Sequence, residues 1–159
     1  MTDEGTIESD RDLCARVAAE CACTNFRKVS RAVTQLFDGQ LEPTGLRSTQ
    51  FVVLVALAAL EPLSVARLSR ELVMDPSTVN RNLKPLEKDG LVVKQTSEKG
   101  RRVALMLSDK GRVLLNEAMP LWRQAQNHFV SGLGGDVWQD LRTKLADSVR
   151  SATSPSEHR

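Results

Sequence analysis

The hydrophobic period of this chain changes from helical to extended within a few residues of Gly90, and that switch restricts the fold more than any other feature. Asp75-Pro76 opens the helical half. Aspartate is a favoured N-cap, and proline suits the first helical position because its missing N–H has no partner there anyway. Val79, Leu83 and Leu86 then recur at steps of four and three, which makes one buried stripe. Ser77, Asn80, Arg81, Lys84 and Lys88 fall on the other side, so the outward face is polar, basic and amide-bearing. After Gly90, the β-rich runs LVVKQT (91–96) and RVALML (102–107) flank SEKGR, where Gly100 can serve the turn, and together they predict a hairpin.

Helices are expected on both sides of this unit. Phe26, Val29, Val33, Phe37 and Leu41 form a stripe on a long helix beginning near Cys23 and ending near Pro43 and Gly45. A second helix starts at Ser48 or Thr49, whose hydroxyl can cap it, and runs through QFVVLVALAAL. Apolar nearly all round, it belongs at the centre of the domain. Ser64 caps a short helix carrying Val65, Leu68 and Leu72. Ser108 caps another, which carries Val113, Leu114, Met119, Trp122, Ala125 and Phe129. Beyond Gly132, Gly134 and Gly135, a last helix places Trp138, Leu141, Leu145 and Val149 on one face. The fold class is therefore mainly α with a small β-hairpin, an α+β chain in which two short helices and a hairpin lie between long helices.

Charge is distributed in a way that fits a nucleic-acid partner. Residues 64–112 hold eleven Lys and Arg against six Asp and Glu, a net +5 in a chain whose total is +2, so the remainder is acidic. A basic middle in an acidic surround is what phosphate contact by one region requires. A helix fits the major groove, where asparagine can read adenine and arginine guanine, while a basic hairpin tip reaches the neighbouring minor groove or backbone. The same architecture without DNA activity, as a protein-interaction module, is the alternative.

Other function classes find little support. The longest apolar run, residues 51–60, is about half of the roughly twenty that a membrane span needs. The acidic, polar start MTDEGTIESDRD is unlike a secretory signal, so a soluble cytoplasmic protein is expected. No GxxxxGK or GxGxxG loop is present, and no nucleophile, base or metal set clusters, so neither an enzyme nor a cofactor is expected. His128 and His158 are read as surface or packing residues. Cys21 and Cys23, two apart on a helix, point about 200° from each other and are not a metal pair.

The run LSRELVMDPSTVNRNLKPLEKDGLVVKQTSEKGRRVALMLSDKG resembles the MarR family of transcriptional regulators in spacing as well as residue type, and GLRSTQFVVLVAL upstream is similar to that family's second helix. The likeness spans roughly residues 20–130. It implies a homodimeric, sequence-specific DNA-binding regulator, usually a repressor, that binds a pseudo-palindromic operator and responds to a small-molecule or oxidative signal. The winged helix-turn-helix would be inserted between dimerisation helices. On this reading residues 1–45 are a tail and the first dimerisation helix, 46–108 the DNA-binding lobe, 109–150 the C-terminal dimerisation helices and 151–159 a disordered tail.

The match places Ser77, Thr78, Asn80 and Arg81 on the recognition helix and Arg101 at the wing tip, with Lys84, Lys99 and Arg102 adding charge beside them. One departure concerns the wing, where family members usually carry an acidic residue two positions before the arginine and this chain has Lys99. Pro85 is a second oddity, because it leaves the carbonyl of Arg81 without its helical partner. The resemblance also lays Cys23 on the reactive position of the family's hydroperoxide-sensing branch, making it a possible redox residue. That branch supports its thiolate with tyrosines, and here Phe37 and Ser48 stand in the matching places, with no tyrosine anywhere in the chain.

Overall fold

A computed structural model of the protein describes residues 10–96 and 103–154. Two helices lead, α1 (Asp10–Glu20) and α2 (Ala22–Leu41), followed by α3 (Ser48–Leu60), α4 (Val65–Glu71) and α5 (Pro76–Lys88). Strands β1 (Val92–Thr96) and β2 (Val103–Leu107) precede the long helices α6 (Asp109–Leu133) and α7 (Gly135–Thr153). The expected class, mainly α with a small antiparallel hairpin, is the one observed.

Two of the chain-end expectations need correction. The N-terminal tail is in part a helix, α1, which starts with Asp10 and Asp12 in its first turn, where carboxylates suit the helix dipole. It buries none of its residues, and Leu13 and Val17, one turn apart on it, are exposed. At the other end α7 continues to Thr153, inside the segment expected to be disordered. Its last turn is closed by Thr153 and Ser154 hydroxyls donating to the carbonyls of Val149 and Arg150.

Among the described residues, side-chain caps account for three of the seven α-helix starts, those of α4, α5 and α6. Ser64 Oγ accepts from the Arg67 amide at 3.2 Å, Asp75 from the Thr78 amide at 2.9 Å and Ser108 Oγ from the Gly111 amide at 3.0 Å. α3 departs from the expected serine or threonine cap. Its N-cap is Arg47, whose amide donates to Gln50 Oε1 at 2.9 Å, while the amide of Ser48 donates to Asp38 Oδ1 on α2 at 2.6 Å. The first turn of α3 is thus satisfied partly from another helix, ten residues upstream.

α3 is central, as its composition predicted, with Phe51, Val53, Leu54, Ala56 and Leu57 buried. Around it close Leu63, Leu68, Val79, Leu83, Leu86 and Leu105, all essentially without solvent exposure. The hairpin pairs in register from Val92 with Leu107 to Thr96 with Val103. A third segment joins it: the amide of Leu63 donates to the Leu105 carbonyl and the amide of Leu105 returns a bond to Leu63, at 3.2 and 2.7 Å. The root of the wing is thereby tied to the connection between α3 and α4.

One joint fixes the long helices to this lobe. Gly90 ends α5 at φ 71°, the left-handed region that glycine enters without a Cβ clash. Directly after it, the Ser108 amide donates to the Leu91 carbonyl at 3.0 Å, and Ser108 Oγ donates to the Gly90 carbonyl at 2.6 Å. Gly111 lies flat against the same backbone, where a Cβ would come within 2.1 Å of the Leu91 carbonyl oxygen. From this joint α6 runs unbroken through Pro120 to Gly134, where φ of 96° turns the chain into α7. Phe129 and Trp138 meet edge to face across that turn, with centroids 5.6 Å apart. No single helix among the described residues is long and apolar enough to cross a membrane.

Candidate nucleic-acid interface

The face of α5 opposite Val79, Leu83 and Leu86 carries the predicted recognition residues. Ser77, Asn80, Arg81 and Lys84 are exposed and Thr78 is half-buried, so five of the eight candidate DNA contacts lie together on one helix. Lys99, Arg101 and Arg102 lie outside the described residues. The helix continues through Pro85 to Lys88 without interruption.

Asp75 does more at this face than end-capping. Its carboxylate accepts from the Ser77 hydroxyl, from the Thr78 amide and, at 2.6 Å, from the Thr78 hydroxyl. The Thr78 oxygen in turn accepts from an Arg81 guanidinium nitrogen at 2.9 Å. These donors, the Ser77 and Thr78 hydroxyls before the Thr78 amide, hold the Asp75 carboxyl far below its ordinary range, so it is ionised at any working pH. The arrangement ties the side chains of three candidate contact residues, Ser77, Thr78 and Arg81, to one carboxylate. The sequence marked Asp75 as a cap and gave no signal for the relay to Arg81.

Part of the basic excess is used internally. Arg67 faces Glu71, Lys94 pairs with Glu87 at 2.8 Å and Arg112 pairs with Glu61, while Lys110 donates to the Asp89 carbonyl at 2.8 Å. Lys84 and Lys88 form no ion pair among the described residues and remain exposed on α5. Counting charge along the chain therefore overstated what this lobe can offer to phosphate, because the count cannot see which cations are matched.

Behind α5 the lobe meets α2 and α6 around a cavity of about 300 Å³. Its apolar walls include Phe37, Phe51, Met74 and Trp122, and Thr34, Ser48 and Thr49 supply hydroxyls. Phe51 and Trp122 lie nearly parallel, 18° apart with centroids separated by 6.4 Å. Asp38 lies behind Ser48. Burial opposes its ionisation, but bonds from the Ser48 amide and hydroxyl and the charge of Arg47, 3.5 Å away, outweigh this and lower its pKa. A second cavity of about 400 Å³ opens between α2, α6 and α7, with Phe26, Val29, Phe129 and Trp138 among its walls.

Phe37 and Ser48, the residues standing where the hydroperoxide-sensing branch has tyrosines, both line the smaller cavity. Cys23 does not line it; its side chain is exposed near the start of α2. The thiol that the structure perturbs is that of Cys21, at the break between α1 and α2. The amide and then the hydroxyl of Thr24 act on its sulfur and lower its pKa. The resemblance singled out Cys23 by its position along the chain, which carries no information about the Thr24 contacts of Cys21.

Two short helices, the second presenting a polar and basic face, followed by a hairpin rooted in the same core, define a winged helix-turn-helix DNA-binding protein. The model of the MarR family matches residues 44–103. The crystal structure of the transcriptional regulator MosR from M. tuberculosis is 31% identical, covers 87% of this chain and 99% of its own, and superposes with a TM-score of 0.77. The transcriptional repressor CouR, solved on a 23-mer DNA duplex, is 28% identical, with 84% and 96% of the two chains covered and a TM-score of 0.76. Among curated proteins, the transcriptional regulator SarZ of Staphylococcus epidermidis is 26% identical over 67% of this chain and 73% of its own. The chain belongs to the MarR family of transcriptional regulators.

Proposed function

We propose that the chain works as a homodimer that binds a pseudo-palindromic operator through α5 and the wing, acts as a repressor, and is released by a small molecule in the cavity beside Trp122. The observation that carries this reading is the outward face of α5, where Ser77, Thr78, Asn80, Arg81 and Lys84 stand opposite the buried Val79, Leu83 and Leu86. Such a helix can meet base edges while its other side anchors it in the core. CouR has been solved both on a DNA duplex and with p-coumaroyl-CoA, which supports a regulator that answers to a ligand.

Dimerisation is supported by apolar residues left exposed at both ends of the chain, among them Phe26 and Val29 on α2 and Val137 on α7, each about half exposed. A second copy would cover them. On this reading 1–45 and 109–150 dimerise, 46–108 binds DNA in the cytoplasm, and the protein regulates without being an enzyme.

The interface is tested by giving reader and anchor different jobs. Arg81 belongs to the rigid helix and should discriminate bases, a good bidentate contact being worth about 1–3 kcal/mol against the wrong base. Arg101, with Lys99 and Arg102, should add phosphate or minor-groove affinity on any sequence. Operator and random-DNA affinities measured across a salt series should show Arg81→Ala eroding the ratio between the two DNAs. Arg101→Ala should weaken both and flatten the salt slope by about one unit. Equal loss of ratio in the two variants, or unimpaired binding in both, would refute the assignment.

A further inference from the structure

We infer that Asp75 is a positioning residue for base selectivity, holding the Arg81 guanidinium through the Thr78 hydroxyl in the orientation from which it reads DNA. The inference rests on the reading of α5 as the base-contacting helix and adds a residue that need touch no base itself. Asp75 is the N-cap of α5, and one of its carboxylate oxygens, Oδ1, is used in capping: it accepts from the Thr78 amide at 2.9 Å and from the Ser77 hydroxyl. The other, Oδ2, takes no part in the cap. Among the described residues it accepts from Thr78 Oγ1 alone, at 2.6 Å, and that oxygen accepts from Arg81 at 2.9 Å.

Arg81 needs such a partner because of where it sits. It lies one turn beyond Thr78, so the bond to Thr78 draws its guanidinium back over the first turn of α5. That is the positive end of the helix dipole, an unfavourable place for a cation. The Asp75 carboxylate reverses the local sign, and a hydroxyl whose proton is bound to a carboxylate is the stronger acceptor for a guanidinium. No carboxylate among the described residues pairs directly with Arg81, so the Thr78 hydroxyl is what orients it.

The bond engages a single guanidinium nitrogen, which leaves donors enough for a bidentate pair on guanine. A tethered arginine has already given up the rotamer freedom that base reading removes, whereas a free one loses it on binding. The difference amounts to about three- to tenfold in operator affinity. Random DNA is held by charge on phosphate, which needs no fixed fork. The relay therefore favours the operator over other sequences.

The test uses the full-length protein as wild type, Asp75→Asn, Thr78→Val, Arg81→Ala and the Asp75→Asn, Arg81→Ala double variant. Affinity is measured for random DNA and for a duplex that the wild-type protein selects from a random pool. Asparagine caps a helix as well as aspartate, so urea unfolding should find Asp75→Asn as well folded as wild type. Its operator-to-random ratio should fall about three- to tenfold. Loss of one negative charge beside phosphate acts on both DNAs alike and cancels in that ratio. Thr78→Val, which keeps the amide cap and removes the hydroxyl, should lower the ratio at least as far. In the Arg81→Ala background Asp75→Asn should change the ratio no further, a result that a purely structural role would not give. An unchanged ratio in Asp75→Asn, or the same fall with Arg81 absent, would overturn the inference, as would an undiminished ratio in Thr78→Val should Asp75→Asn not fold. Arg81→Ala keeping the full ratio would overturn the reading of α5 and the inference with it.

Discussion

Replacing Gly111 with alanine adds a single methyl group at the joint between α6 and the DNA-binding lobe. In an open helix the change should stabilise by up to about 1 kcal/mol, because glycine is the poorer helix former. Here the new Cβ would stand 2.1 Å from the Leu91 carbonyl oxygen and 3.3 Å from Leu107 Cδ2. The oxygen cannot yield easily: it accepts from the Ser108 amide at 3.0 Å, while the Leu91 amide is held by the Leu86 carbonyl at 2.8 Å. Restoring an ordinary contact requires α6 to back away by more than 1 Å, which strains the Ser108 bonds to Gly90 and Leu91. Overpacking of about 1–3 kcal/mol and one or two weakened hydrogen bonds at about 1 kcal/mol each, less the gain in propensity of up to about 1 kcal/mol, leave a net loss of about 1–4 kcal/mol. In a chain of this length that lowers the melting temperature by roughly 2–16 °C. Urea and thermal unfolding at fixed protein concentration measure it. Gly39→Ala and Gly132→Ala are the controls, since a Cβ at either meets nothing within 4 Å. Gly111→Ala matching those controls in stability would refute the reasoning.

Val73, at φ 51°, is a β-branched residue in the left-handed region and is well exposed, so Val73→Gly should raise stability by about 0.5–1 kcal/mol in the same unfolding assay, and a loss would contradict the strain. Alkylation of the native protein followed by peptide mass mapping should label Cys21 before Cys14 or Cys23, since Thr24 favours its thiolate; preferential labelling of Cys23 would reverse that ranking. The lowered pKa of Asp38 predicts stabilisation present above the unfolded value of 3.8 and lost as pH falls through the lower folded value. Asp38→Asn should therefore show a shallower acid limb of stability against pH, and an unchanged limb would remove Asp38 from that account.

The lobe was legible because its signals are local. Asp75-Pro76 and the serines at 64 and 108 each satisfy amides within three residues, and the stripe of Val79, Leu83 and Leu86 needs no knowledge of its partner. What the sequence hid depends on distant chain. Arg47 rather than Ser48 caps α3 because Gln50 reaches back and Asp38 reaches over from α2. The bridge from Leu63 to Leu105 joins residues forty-two positions apart, and a short segment ending in Pro62 carries no strand pattern. For the site, residue types placed Ser77 to Lys84 on one face. The relay from Asp75 to Arg81, the matched cations and the shift at Cys21 all depend on side-chain geometry that spacing does not encode.

The unbroken run of α6 gives the small joint at its start a long reach. At about 1.5 Å per residue, the 25 residues from Asp109 to Leu133 make a rod of about 37 Å. A tilt of about 4° where Ser108 and Gly111 press on Leu91 displaces the far end by about 2.5 Å. If the far ends are instead clamped by a second copy, the same tilt moves each lobe by that amount. Two lobes swinging in opposite senses then change the separation of the paired α5 helices by about 5 Å, against the roughly 34 Å repeat of the duplex. Mechanical leverage of this kind would let a packing change no larger than a methyl group decide whether both half-sites can be gripped at once.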